Sequence, residues 1–477
     1  MMGGLATDLA TYWRGFERTL CERAAAHGVP GAVAGALLDD ETEVASCGVA
    51  NAATGVEVTP DTLFQAGSIS KIYTATLLAQ LAGAGVVSLD EPVRAQLQKF
   101  AVADPGATLE ITPRHLLSHA SGIHGDHLID TGWNPDALER YVATLPGVGQ
   151  IHAPDETYSF CNTGFAVAGR LIETATGEHF DRALRRRLLR PIGVDATLTL
   201  PQHALVHRVA VGHMPQPADE GLRAQPVRWP FARSNGPMGG ILAPVGDVLA
   251  FARVHLAGGV AANGSEVLPA GTVEDMRQPQ IESPVPGETQ ALAWTVNRWD
   301  DVSCLGQDAD TFGQRAYLRV VPERNFAFCL MTNSPSGAVL ARHLVPTVMG
   351  ELLDLSIPPP AVMRSPMALT DPAAFVGTYD RLHQRIDVEA TAQGGLAISV
   401  NPSGMLGQLG RQAFKAELVP LDLGESGKPA ATDMPRGLFR TTMPDSGLDE
   451  PVVFTQLAEG SAGLYLHGRL HRRDLHV

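Results

Sequence analysis

Cysteine is sparse in this chain. Cys21, Cys47, Cys161, Cys304 and Cys329 are scattered over 477 residues without a CxxC pair, too few to staple a chain of this length, and they read as reduced thiols of a cytosolic protein. Long apolar runs are missing as well. The longest near the start, Gly28 to Leu38, falls short of the roughly 18 residues a membrane span requires. The first twenty residues mix acidic, basic and aromatic side chains where an export signal carries an unbroken apolar core, so the predicted compartment is the cytoplasm. Positive charge is in deficit: 36 Lys and Arg stand against 51 Asp and Glu, a formal net charge of −15. That balance repels phosphate backbones and anionic lipid, and neither nucleic acid nor membrane is an expected partner. There is no internal repeat, no low-complexity tract and no Gly-x-Ser-x-Gly elbow, and Gly427-Lys428 is followed by Pro429, which rules out a phosphate loop. No cofactor is expected.

What is present suggests two folded units, since one hydrophobic core seldom serves so long a chain. Pro358-Pro359-Pro360 and Arg364-Ser365-Pro366 interrupt the pattern as a stiff linker, giving an expected first domain over 1–356, a linker over 357–367 and a second domain over 368–477. In the first, Gly31 to Leu38 and Glu43 to Val49 flank Asp39-Asp40 as in a hairpin. Gln314 to Val321 and Phe326 to Thr332 repeat that pattern near the domain's end. Strands from both ends are expected to share one sheet. Between them lie helical stretches, with apolar residues three and four apart at Ile72, Leu77, Leu78 and Leu81 and again at Phe165, Val167 and Leu171. After 368, short apolar runs separated by Gly, Pro and Asp predict an all-β sandwich or barrel.

The chemistry centres on Phe64-Gln65-Ala66-Gly67-Ser68-Ile69-Ser70-Lys71. If this segment opens a helix, Ser68 lies in its first turn, where free backbone N–H groups can stabilise an oxyanion, and Lys71 follows one turn on, facing the same way. A serine hydroxyl needs a base, and a lysine serves only if burial and the positive helix end lower its pKa. Taken alone, Ser-x-x-Lys arises by chance about once in such a chain. The plain reading then has Ser68 as a helix cap and Lys71 as a solvated residue.

The surrounding segments change that weighting. FQAGSISK (64–71), ITPRHLLSHASGIHGD (111–126), ETYSFCNTGFAVAGRLIE (156–173), SNGPMGGILAPVGDVLAFARVHL (234–256) and GQDADTFGQRAYLRVVPERN (306–325) together resemble, in the same order, the β-lactamase-related serine hydrolases: class C β-lactamases, penicillin-binding proteins and related esterases and transacylases. The resemblance implies an α/β fold, with an antiparallel sheet flanked by helices and an inserted helical subdomain. The tail from LTDPAAFVGTYDR looks like the small lipocalin-like β-domain of some relatives.

Two motif positions depart from that family. Its Tyr-x-Asn motif, in which the phenol relays a proton and the asparagine orients lysine and substrate, reads Phe160-Cys161-Asn162 here, so Asn162 is kept and the phenol is lost. Tyr158, two residues earlier, is a candidate for a displaced proton carrier, or simply lining. The third motif, Lys-Thr-Gly or His-x-Gly in relatives, reads Gln307-Asp308-Ala309. Loss of the cation removes the grip on a substrate carboxylate, and Asp308 or Asp310 would repel one if it faced the cleft. β-Lactams are therefore not the expected substrates. The backbone N–H of Asp310 matches the position that completes the oxyanion hole with that of Ser68, and backbone donors survive side-chain change.

The leading expectation is thus an acyl-enzyme hydrolase or transacylase for a small-molecule ester, thioester or amide, acyl or peptidic in nature. Ser68 acts as nucleophile, Lys71 as base and Asn162 as orienter; Phe160, Tyr158, Gln307, Asp308 and Ala309 line the substrate. The competing expectation is a pseudoenzyme that has lost two motif residues and binds a ligand or protein partner. His115 and His119, four apart with His124 and His127 following, have zinc-like spacing, but the segment reads as packing beneath the site and no metal is expected. His467, His471 and His476 read as a solvated basic face, and Trp294 and Trp299 as core or cleft lining. Oligomeric state is not legible.

Overall fold

A computed structural model describes residues 8–217, 222–227, 231–300, 302–408, 411–422, 436–444 and 446–474. A nine-stranded antiparallel sheet forms the first unit. At its centre Gly31–Leu38 pairs with Phe326–Thr332, from Ala32 opposite Thr332 to Leu38 opposite Phe326, so the two ends of the domain do share one sheet. Both strands are buried on both faces, which explains why GAVAGALL and FAFCLMT run apolar without alternation. One face packs on Leu9–Ala26 and Gly337–Leu353. The other carries the larger core, formed with Ser70–Gly83, Asn162–Thr176 and Val245–Leu256.

Helix Ser70–Gly83 is buried nearly all round, unlike a surface helix with one apolar stripe. Its polar side chains are satisfied internally: Thr74 Oγ1 donates to the Pro237 carbonyl at 2.7 Å, and Thr76 Oγ1 lies 3.0 Å from His255 Nε2. Trp294 is wholly buried and Trp299 nearly so, both within the cores.

The second unit is a closed up-and-down barrel of eight antiparallel strands. Gly377–Arg381 meets Arg469–Arg473, with Tyr379 opposite Arg473, and this closure leaves no free sheet edge. Phe375, Tyr379, Phe439 and Phe454 interlock edge to face inside it, with Ile386, Val388, Val452 and Leu464. The interior is thus filled by the barrel's own side chains.

The barrel packs over one end of the first unit. Ile151 joins Leu457, Tyr465 and Leu470 in a small apolar cluster, Thr157 Oγ1 lies 2.8 Å from Tyr465 Oη, and Ala458 N donates to Glu156 Oε1 at 2.7 Å.

Candidate active site

Ser68 lies in a 3-10 turn, Gly67–Ile69, that leads directly into the helix beginning at Ser70. It therefore sits just before the α-helix, not in the helix's own first turn. Gly67 has φ +51°, and a Cβ there would meet Thr311 Cγ2 at 2.6 Å and Ala309 Cβ at 2.9 Å. Only glycine permits both the backbone conformation and this close approach of strand Val302–Thr311. Gly67→Ala is expected to push the strand away and slow acylation of Ser68 on the order of 10²-fold, as read by the rate of labelling with an activated ester.

Lys71 is wholly buried, and its Nζ lies 3.0 Å from Ser68 Oγ and donates to the Met238 carbonyl at 2.8 Å. Ser68 itself is only half-buried. Burial of the amine, reinforced by Arg469 and opposed by Asp126, brings the Lys71 pKa down to about 7. An appreciable fraction is then an uncharged base at neutral pH, one helical step from the hydroxyl.

Asn162 opens its helix, and its Nδ2 donates to Asp126 Oδ1 at 2.9 Å. Phe160 lies beside the amine: Lys71 Nζ is 4.7 Å and the Arg469 guanidinium 4.6 Å from its ring centroid, while His119 stacks on it at 4.6 Å. Phe160 thus presents an apolar face shared by cations and an imidazole. His119 Nδ1 accepts from Cys161 N at 2.8 Å, and burial together with Lys71 drives its pKa well down. His119 is a neutral packing residue of the cleft wall. Tyr158 meets His119 edge-on at 5.7 Å, and its phenol abuts Gly468. Among the described residues no group of three or more His, Cys, Asp or Glu is arranged to hold a metal ion.

The third-motif strand pairs with Thr295–Trp299 only as far as Gly306, whereas its pairing with Gln314–Val321 continues to Thr311. Residues 307–311 therefore present a backbone edge on the side freed by that neighbour. Gln307 and Ala309 are buried, Ala309 against Gly67. Asp308 and Asp310 alternate to the other face. Arg319 runs beneath Gly306, whose absent side chain leaves it room, to pair with Asp308. Asp310 pairs with Arg315 at 3.4 Å and Arg411 at 2.8 Å. Partial desolvation would raise its pKa, but these arginines hold it at about 2. The expected repulsion of an anion by these carboxylates is therefore offset by paired arginines.

One reading of the sequence is overturned in part. His471 is not on a solvated face but fully buried, whereas His467 is exposed. The reason is the barrel hairpin around Gly468, which enters the cleft. Its Gly468 carbonyl accepts from Phe160 N at 2.9 Å, and Leu470 N donates to Ser159 Oγ at 3.2 Å. His476 lies outside the described residues. The hairpin brings Arg469 to Asp126 at 2.9 Å, and Arg381, from the neighbouring turn, pairs with the same carboxylate. Asp126 is 2% exposed. Burial favours its neutral form, but Arg469 and Arg381 overcome that and hold it ionised. None of Asp126, Arg381, Arg411 and Arg469 was singled out from sequence, because their meeting depends on how two domains dock.

A family model described as Beta-lactamase matches residues 16–347. The chain belongs to the beta-lactamase family. It is 40% identical over 369 residues to penicillin-binding protein 4 of Amycolatopsis lactamdurans, covering 74% of this chain and 94% of that protein. It is 29% identical over 183 residues to a D-aminopeptidase of Brucella anthropi, 37% of this chain and 34% of that one. The crystal structure of SurE superposes with a TM-score of 0.75 at 26% identity, over 97% of this chain and 98% of that one. Family membership and the barrel place the chain among beta-lactamase-related serine hydrolases of two-unit architecture.

Proposed function

We propose that the chain is a serine acyl-enzyme of the penicillin-binding-protein type that takes an acyl or peptidyl group from an ester or thioester and passes it to water or an amine. The observation that carries this is the buried Lys71 amine at 3.0 Å from Ser68 Oγ. Ser68 Oγ attacks the carbonyl carbon, its proton passes to Lys71 Nζ, and the N–H groups of Ser68 and Asp310 receive the oxyanion. Asn162, fixed by Asp126, orients the donor. Collapse expels the alkoxide or thiolate and leaves a Ser68 ester. The acceptor then attacks this ester and gives up its proton to solvent, and Lys71 Nζ returns the proton it holds to Ser68 Oγ as the acyl–oxygen bond breaks. The D-aminopeptidase relative supports a D-configured residue at the acyl position. The alternative of a binding-only pseudoenzyme is disfavoured by the retained contact.

Leaving groups that depart without protonation suit a site where Phe160 replaces the phenol. Phe160→Tyr is expected to leave thioester turnover within about threefold while raising amide turnover by about 10²-fold. Paired assays of an aminoacyl thioester and the matching amide check this. Only unprotonated Lys71 can take the serine proton, so acylation should fall about tenfold per pH unit below 7 and level off above it. Fluorophosphonate labelling followed by intact mass reads that profile. If no adduct forms on Ser68 with fluorophosphonate or any of a panel of D- and L-aminoacyl esters and thioesters, the proposal is wrong.

A further inference from the structure

The environment of Lys71 is assembled from four places in the chain. The Gly236–Gly239 helix supplies the Met238 carbonyl. The loop before Leu128 supplies His119 and Asp126, and the start of the Asn162–Thr176 helix supplies Phe160, Cys161 and Phe165. The barrel supplies Arg469. Two of these groups are neutral: burial and Lys71 hold His119 well below the imidazole range, and burial pushes the Cys161 thiol up to about 11. The fixed charges that remain are one carboxylate, Asp126, and the two guanidinium groups it binds, Arg381 and Arg469. One negative and two positive charges leave a buried surplus of positive charge beside the amine. Arg469 and Lys71 touch the same Phe160 ring, at 4.6 Å and 4.7 Å from its centroid. In so dry a setting a further ammonium is disfavoured by burial and by its neighbour alike.

We propose that Arg469, delivered by the barrel hairpin and held by Asp126, is a positioning residue of the Ser68–Lys71 pair, its charge keeping the neighbouring amine unprotonated while the barrel is docked. This rests on the proposed role of Ser68 and deepens it, because the barrel becomes part of the acylating site. With the hairpin withdrawn, Lys71 loses both the adjacent cation and the cover over the cleft. Its midpoint then rises, and Ser68 loses reactivity at neutral pH. Asp126 serves in two ways, binding the guanidinium and fixing Asn162 with its other oxygen.

The sequence makes a direct test practicable, since its lysines are Lys71, Lys99, Lys415 and Lys428. The full-length protein labelled with 13C-lysine shows the Lys71 side-chain resonance titrating, and Lys71→Met assigns it. We expect a midpoint near 7 in the wild type, raised by roughly half a pH unit or more in Arg469→Gln and restored in Arg469→Lys, which keeps the charge. Fluorophosphonate labelling of Ser68 at pH 6 should fall about threefold in Arg469→Gln, matching that displacement. Arg469→Met replaces Arg469→Gln if the latter does not fold. An unmoved midpoint on loss of the arginine charge overturns the proposal, as does an equal movement in Arg469→Lys. If the midpoint moves as expected while Ser68 is labelled in none of the proteins, the electrostatic role of Arg469 stands and the nucleophilic role of Ser68 falls.

Discussion

Lys71→Met should slow acylation of Ser68 by about 10⁴-fold without lowering thermal stability. The loss follows from chemistry, because methionine fills the space of the lysine stem but cannot accept a proton, and Ser68 Oγ then keeps its own. The retained stability follows from burial. Lys71 is 0% exposed, and a buried amine costs free energy that a thioether of similar shape does not, apart from the hydrogen bond lost at the Met238 carbonyl. Labelling kinetics and a melting curve on one preparation check both halves. Activity lost together with a fall in melting temperature would mean that Lys71 holds the fold, and that its contact with Ser68 is incidental. Ser68→Ala should abolish the adduct altogether, again with little effect on melting, since the hydroxyl is half-buried and its partner Lys71 keeps the Met238 carbonyl.

Asp126→Ala should be the most destabilising single change in the cleft, at about 3–5 kcal/mol. It strands Arg381, whose side chain is 8% exposed, and Arg469, at 25%, with no countercharge between them. It also frees the Asn162 carboxamide. Much of the cost comes from uncompensated buried charge, so it should be recovered in part when an arginine is removed with the carboxylate. Asp126→Ala combined with Arg469→Met should be more stable than the sum of the single effects by roughly 1–3 kcal/mol. Urea unfolding of the four proteins measures that coupling. Additive effects would show that the carboxylate and the hairpin do not act as a unit.

The main features of the first domain were legible because local pattern and long-range consequence agree there. Unbroken apolar runs at Gly31–Leu38 and Phe326–Thr332 belong to strands covered on both faces, and they do lie side by side. Ser68 and Lys71 were legible because a three-residue separation brings the two side chains together through local backbone alone. The surroundings of that pair were not. Asp126 lies in a segment already recognised as motif, yet nothing in its neighbours says that two arginines from the barrel converge on it. His467 and His471 sit among arginines near the end of the described chain, a composition that ordinarily marks a solvated face. Only the docked hairpin makes His471 interior, while His467 stays exposed. The ion pairs of Asp308 and Asp310 were illegible for a related reason: their charge was visible, but Arg319, Arg315 and Arg411 come from a neighbouring strand and from the other domain.

The strand that carries Arg469 is also the one that closes the barrel onto Gly377–Arg381. During synthesis Ser68, Lys71 and Asn162 leave the ribosome long before it, so a nascent chain carries these residues before the arginine that later caps them. A premature stop anywhere in the last strands would release a protein with an open barrel and an uncovered cleft, a loss that a screen confined to the nucleophile's own domain would never register.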